Sequence, residues 1–346
     1  MTPSNGQSIL VVVDEVTKVG EARRRTALLA EQLGFNEVQQ SKAAIVATEA
    51  ATNLVKHAGR GEILLRGIDL GSAGPALEIL ALDSAAGMTD VGRCLTDGYS
   101  SAGTSGTGLG AIRRLADAFD IYSAPNSGTA VWARLQSNPR LGVDVCLPIE
   151  VGVTSIAAPG EQVCGDNWSV VMRDGFCFVL VADGLGHGPS AALAADEAVR
   201  VFRAHQSREP ADVIESTHHA LRSTRGAALS IARIDLARGQ VRYAGVGNIS
   251  GVVINTTTSE SVSMVSQNGT VGYTIRKIQT FDYHWTNDSL LLMHSDGLTT
   301  RWNLNRYAGL AARHPSLVAG VLYRDNNRNR DDVTVLVARP KTGDRL

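Results

Sequence analysis

Apolar and polar positions follow two periods along this chain, and the change of period divides it. Residues 8–13 form an apolar, β-branched run that predicts a strand. From 16 to 33 the apolar residues recur at helical spacing, and Leu33-Gly34 is a stop signal. Residues 38–57 predict a second helix, closed by Gly59 and Gly61. Strands are expected over 62–69 and 76–83 with a turn at 71–75, then a helix over 110–119 and a strand over 128–135. Residues 136–142, polar and containing Pro139 and Gly142, read as a seam between domains spanning 1–138 and 143–341.

Beyond the seam the pattern becomes short and β-rich. Strands are expected over 143–156, 168–173 and 176–182, the last two joined by the hairpin dipeptide Asp174-Gly175. Helices follow over 189–205 and 211–222, then strands over 228–235, 240–245, 251–254, 289–294 and 333–338, with 326–330 as a polar, basic surface loop. Strands flanking a helical pair point to stacked layers of sheet and helix.

Composition narrows the function classes. A length of 346 residues suits two domains at roughly 100–200 residues each. With 33 Lys+Arg against 34 Asp+Glu and 44% hydrophobic residues, neither a disordered chain nor a phosphate-neutralising nucleic-acid binder fits. Aromatic content of 5% argues against a base-stacking surface. Cys94, Cys146, Cys164 and Cys177 form no C-x-x-C pair, which suggests reduced thiols. No basic-apolar leader is visible, and no apolar run reaches the ~18 residues of a membrane span. The expectation is a cytoplasmic protein without membrane or nucleic-acid partners.

Two sets of residues suggest chemistry. In the first half, Glu49-Ala-Ala-Thr-Asn53-Leu-Val-Lys-His57 puts three polar side chains at successive turns on one face of an Ala-rich helix, with His57 read as structural. Asp83 ends an apolar strand, followed by Ser84-Ala-Ala-Gly87. The run Gly103-Thr-Ser-Gly106-Thr-Gly108-Leu-Gly110 then leads straight into a helix, where backbone N–H groups can meet an anion. In this order the pieces resemble the Hsp90/gyrase/histidine-kinase ATPase superfamily, and more closely the anti-sigma-factor serine kinases. The resemblance implies a two-layer α/β sandwich binding ATP with Mg²⁺. It implies Asn53 at the metal, Glu49 as general base, Asp83 at the adenine amino group, and Gly106, Gly108 and Gly110 at the phosphates, with Gly87 and Thr129 near the base. One departure is Ala85, which stands where D-x-G-x-G has its first glycine.

In the second half, aspartates sit at loop positions beside glycine: Gly165-Asp166, Asp183-Gly184, Asp296-Gly297 and the doublet Asp331-Asp332. Several converging carboxylates make physical sense around a hard divalent cation. The series, above all Asp183-Gly-Leu-Gly-His-Gly-Pro-Ser, resembles the PPM-type phosphatases in the branch that includes SpoIIE. That likeness implies a four-layer αββα sandwich, giving an α/β (α+β) chain overall, and two Mn²⁺ or Mg²⁺ ions. The implied metal residues are Asp166, Asp183, Gly184 through its carbonyl, Asp296 and Asp331, with Asp332 as rival to Asp331. Asp183 would be central to catalysis, and His187 would protonate a leaving oxygen or orient water. No C-x5-R loop or G-x-S-x-G elbow is present, in keeping with chemistry that needs no protein nucleophile.

Together the resemblances imply a bifunctional regulator of a bacterial partner-switching pathway. Its substrate would be the phosphoserine or phosphothreonine of a STAS-type (anti-anti-sigma) or scaffold protein, with a sigma factor or downstream switch protein as a further partner. The first half would phosphorylate the same or a related protein; the alternative is an ATP-sensing or partner-binding module that transfers nothing.

Overall fold

The structure, a computed structural model, describes residues 7–70, 74–95, 108–138, 148–205 and 209–341. It divides into two compact units: Met1–Cys146 with Ala308–Arg324, and Leu147–Tyr307 with Asp325–Leu346. A segment from late in the sequence therefore groups with the first unit. Gly106, the expected seam at 139–142, Cys146 and the first residues of the 143–156 strand lie outside the described residues.

The first unit begins with β1 (Ile9–Val13), α1 (Val16–Gln32) and α2 (Glu37–Asn53), followed by a π-turn, Leu54–Ala58. Asn36 caps α2 reciprocally with Gln39, a capping box that fixes where the helix starts. Then come β2 (Gly61–Asp69), β3 (Pro75–Asp83), α3 (Val91–Cys94), α4 (Gly108–Leu115), β4 (Ala118–Ser123) and β5 (Thr129–Gln136). The strands form one antiparallel sheet of order β1-β2-β3-β5-β4. Residues alternate across it: Leu77, Ile79 and Ala81 of β3 join the core with Ala43, Val46, Ala47 and Ala50 of α2. The expected helix over 110–119 is shorter than its pattern suggested. Its last residues enter β4, because pairing with β5 outweighs the helical period.

The opposite sheet face also is not bare. Leu80, Leu82 and Trp132 are buried, and the late segment lies against them. His314 stacks on Trp132 with ring centroids 3.6 Å apart, and the His314 backbone N–H donates to Asp120 Oδ2. A Cβ added at Gly320 would stand 2.5 Å from Leu80 Cδ2, so a glycine that costs a free helix about 1 kcal/mol is what permits this close approach. Gly320 belongs to α7 (Pro315–Asn326), in which Leu317, Val318, Ala319, Val321, Leu322 and Tyr323 are all buried.

The second unit holds β6 (Ile149–Ile156), β7 (Asp166–Arg173), β8 (Phe176–Gly184), α5 (Pro189–Ala204), α6 (Pro210–Ala220), β9 (Ala227–Asp235), β10 (Gln240–Val246), β11 (Ser250–Asn255), β12 (Ser261–Met264), β13 (Phe281–His284), β14 (Ser289–His294) and β15 (Val333–Pro340). These make two five-stranded sheets, ordered β13-β10-β9-β8-β7 and β12-β11-β14-β15-β6. Val179, Val181, Ile234 and Tyr243 of one sheet pack with Met293, Leu336 and Ala338 of the other. Alternate residues of the first sheet, Phe178, Leu180 and Leu229, pack under α5 and α6. The small side chains Ala194, Ala195 and Ala198 allow α5 to lie close to that sheet. Sequence pattern alone did not expect β4, β12, β13 or α7.

Candidate active sites

In the first unit, Glu49 and Asn53 sit one turn apart on α2, and both reach the start of α4. A Cβ built on Gly108 would lie 3.0 Å from Glu49 Oε2 and 3.2 Å from Asn53 Oδ1. The absent side chain leaves room for both polar groups at a helix N-terminus. Gly110 is buried in the first turn of α4. After Asn53 the backbone widens into the π-turn, a distortion that recurs at functional sites. His57 falls in that turn and so leaves the α-helical register it was expected to share with Glu49 and Asn53.

Asp83 and Thr129 face each other across β3 and β5. Asp83 Oδ1 accepts from Ala85 N at 2.9 Å and from Thr129 N at 3.2 Å; Oδ2 makes no hydrogen bond among the described residues. Burial raises the Asp83 carboxyl above its ordinary range, opposed by those two amides and by the positive field of Arg324. Arg324, on α7, donates to the Asp83 carbonyl at 2.6 Å and to Ser127 O at 2.8 Å, a contact that no sequence pattern signals. Gly87 has φ +69, whereas Ala85 is absent from the positive-φ residues. The substituted glycine is therefore not the one that needs left-handed backbone.

In the second unit, Asp166 opposes Asp183 where β7 meets β8. Ser295 Oγ donates to Asp166 Oδ2 at 2.6 Å and accepts from Thr334 N at 2.9 Å. Asp296 Oδ2 accepts from Asn248 Nδ2 at 2.7 Å, which gives the Gly247-Asn248 turn a function in holding this carboxylate. Asp332 Oδ1 accepts from Ala158 N, and Asp331 Oδ1 from the Asp332 amide. Two glycines create the space. A Cβ on Gly184 would stand 2.1 Å from Ala191 O, and one on Gly165 would stand 2.5 Å from Asp332 Oδ2.

The field at this end of the sheets is strongly negative. Burial, then repulsion from Asp166, Asp296, Asp331 and Asp332, raises Asp183 to about 9. Burial, opposed by the Ser295 hydroxyl and reinforced by Asp332, raises Asp166 to about 7. Asp166 Oδ1 and Asp332 Oδ2 are buried with no hydrogen-bond partner. Buried carboxylate oxygens without donors, repelling one another, fit a divalent cation. Among the described residues no three side chains close around a common point as finished ligands, so the fold supplies gathered acidic groups rather than a completed shell. Of the doublet, Asp332 is buried and committed to Ala158, and Asp331 is the more open. His187 Nδ1 pairs with Glu161 Oε1 at 2.6 Å. The supporting roles of Ser295, Thr334, Glu161 and Gly165 escaped the sequence reading; a serine next to Asp296 is too common a neighbour to signal support for Asp166.

Comparison with known proteins gives a family for each half of the chain. Residues 12–135 match the family described as histidine kinase-like ATPase domain, and 173–341 match stage II sporulation protein E (SpoIIE). Asp166 lies just before the second match. The chain is 34% identical over 130 residues to the serine/threonine-protein kinase RsbT of Bacillus subtilis (strain 168), covering 37% of this chain and 96% of that protein. It is 27% identical over 150 residues to the phosphoserine phosphatase RsbX of the same organism, covering 43% of this chain and 75% of that protein. A chain from a structural study of the bacterial stressosome, described as a modular system adapted to control secondary messenger signaling, shares 31% identity. It covers 55% of this chain and 99% of that one, with a TM-score of 0.52. RsbX in complex with magnesium, at 23% identity, covers 56% of this chain and 96% of that one with a TM-score of 0.51, a likeness of fold.

Proposed function

Because the chain belongs to the histidine kinase-like ATPase family through residues 12–135 and carries a SpoIIE phosphatase domain through 173–341, we propose that it is a metal-dependent phosphoserine/phosphothreonine phosphatase and ATP-dependent kinase of one partner-switching pathway. Its substrate is a STAS-domain anti-anti-sigma or scaffold protein, and a sigma factor or downstream switch protein responds to that protein's phosphorylation. The protein works in the cytoplasm; among the described residues no helix is long and apolar enough to cross a membrane.

The observation behind the dephosphorylation reading is the set of five aspartates acting on one another, with two buried oxygens left without donors. Asp183, Asp166, Asp296 and Asp331, with the Gly184 carbonyl, would hold Mn²⁺ or Mg²⁺. The ions would supply Lewis-acid chemistry at the phosphoryl group. Ser295 and Thr334 keep Asp166 oriented, and Asn248 does the same for Asp296. His187, steadied by Glu161, holds a proton for the departing seryl or threonyl oxygen. Asp183→Asn is expected to abolish Mn²⁺-dependent phosphate release while leaving ATP binding unchanged. Equal release by variant and parent would remove the metal assignment.

For the first unit, Glu49 takes the proton of the attacking hydroxyl, Asn53 would hold Mg²⁺, and Asp83 Oδ2 accepts from the base. Gly87, Gly108, Gly110 and Thr129 leave space for the nucleotide, and Gly106 is assigned to the phosphates by the resemblance alone. The convergence of Glu49 and Asn53 on Gly108 supports transfer over mere sensing, and Ala85, at a backbone conformation without positive φ, is compatible with it. Incubation with labelled ATP and purified STAS proteins tests it: label on the protein supports a kinase, whereas ATP binding without label supports a sensor.

A further inference from the structure

The rim of the phosphatase site holds a cation with no assigned task. Arg225 lies two residues before β9, whose first residues pair with the ligand-bearing end of β8: Ala227 opposes Gly184, and Ala228 opposes Asp183. The connection is closed by Leu185 N, which donates to Gly226 O at 3.0 Å. This brings the Arg225 guanidinium against the loop that follows Asp183. A Cβ on Gly186, which has φ +85, would stand 3.2 Å from Arg225 Nη1.

Arg225 is exposed and makes no hydrogen bond or ion pair among the described residues. That is unusual beside five aspartates, and it contrasts with His187 on the same loop, which is paired with Glu161. A guanidinium kept free of nearby carboxylates retains its planar fork of donors for an incoming oxyanion. Its flanks are apolar and exposed. Leu185 is 45% exposed, and Tyr273, whose ring lies beside Gly226, is 65% exposed.

We propose that Arg225 grips the phosphoryl oxygens of the phosphoserine or phosphothreonine substrate, with Leu185 and Tyr273 receiving the apolar residues around it. The proposal rests on the phosphatase reading and adds the group that recognises the dianion. Carboxylates alone repel a phosphate; an unpaired guanidinium at their edge supplies attraction without competing for the ions.

The test uses the full chain loaded with Mn²⁺, a phosphoserine peptide for kinetics and inorganic phosphate for calorimetry. Arg225→Ala is expected to raise KM and weaken phosphate binding by about tenfold or more, with a smaller fall in kcat. Arg225→Lys should recover part of both losses, since lysine keeps the charge but not the fork. Arg222→Ala, three residues earlier and also exposed, serves as the control for general surface charge and should match the parent. If the parent hydrolyses the peptide and Arg225→Ala shows its KM and its phosphate affinity, the proposal fails while the phosphatase reading stands. A parent that neither releases nor binds phosphate overturns both.

Discussion

A methyl group added at Gly87 would sit 2.1 Å from the Ala124 carbonyl oxygen, on backbone with φ +69. Both the clash and the left-handed conformation oppose any side chain. Gly87→Ala should therefore cost the first unit about 2–4 kcal/mol, read as a lowered denaturation midpoint. Ala85→Gly, at an ordinary φ, should change it by less than about 1 kcal/mol. Comparable losses in the two variants would contradict this account. At this scale much was legible. Glu49, Asn53, Asp83, Asp183 and Asp296 all stand in local motifs that can be quoted from the chain, and the fold brings Glu49 and Asn53 to Gly108 and sets Asp183 in the field of Asp296. The supporting groups were not, because Ser295 reaches Asp166 and Ala158 reaches Asp332 through folding alone, across more than a hundred residues of chain.

Among elements, the strand ends deliver the acidic groups. Asp166 and Asp183 share a register on β7 and β8, and Asp296 follows β14, whose neighbour β15 is preceded by Asp331 and Asp332. Ser295 ties these two sheets together, since it bonds both Asp166 and the Thr334 amide. Ser295→Ala should reduce Mn²⁺ affinity by about 10–100-fold with the fold retained, measured by metal titration. Unaltered affinity would show that Asp166 needs no such orientation. Elements with a clear period were visible in the sequence. Those without one were not: α7 is apolar on every side, so it lacks the polar stripe that reveals a helix, and β4 continues the helical spacing of α4 until pairing with β5 overrides it.

For the molecule as a whole, sequence order and spatial grouping differ. Two families appear one after the other along the chain, yet Ala308–Arg324 groups with the first unit. His314, Gly320 and Arg324 lie against Trp132, Leu80 and the Asp83 carbonyl. Burial of each Leu or Val side chain is worth roughly 1.5–3 kcal/mol, so uncovering Leu80, Leu82 and Trp132 would strip the first unit of a substantial share of its stability. A polypeptide ending at residue 138 should be aggregation-prone in static light scattering. Adding residues 308–324 through a flexible linker should restore solubility and ATP affinity.

The same interleaving bears on how such a chain could be recombined. Its phosphatase-type sequence cannot be exchanged wholesale for that of a relative without also replacing the residues that cover the first unit's sheet. A hybrid made at the seam would therefore carry a foreign 308–324 segment against the first unit's sheet, a mismatch far from the splice.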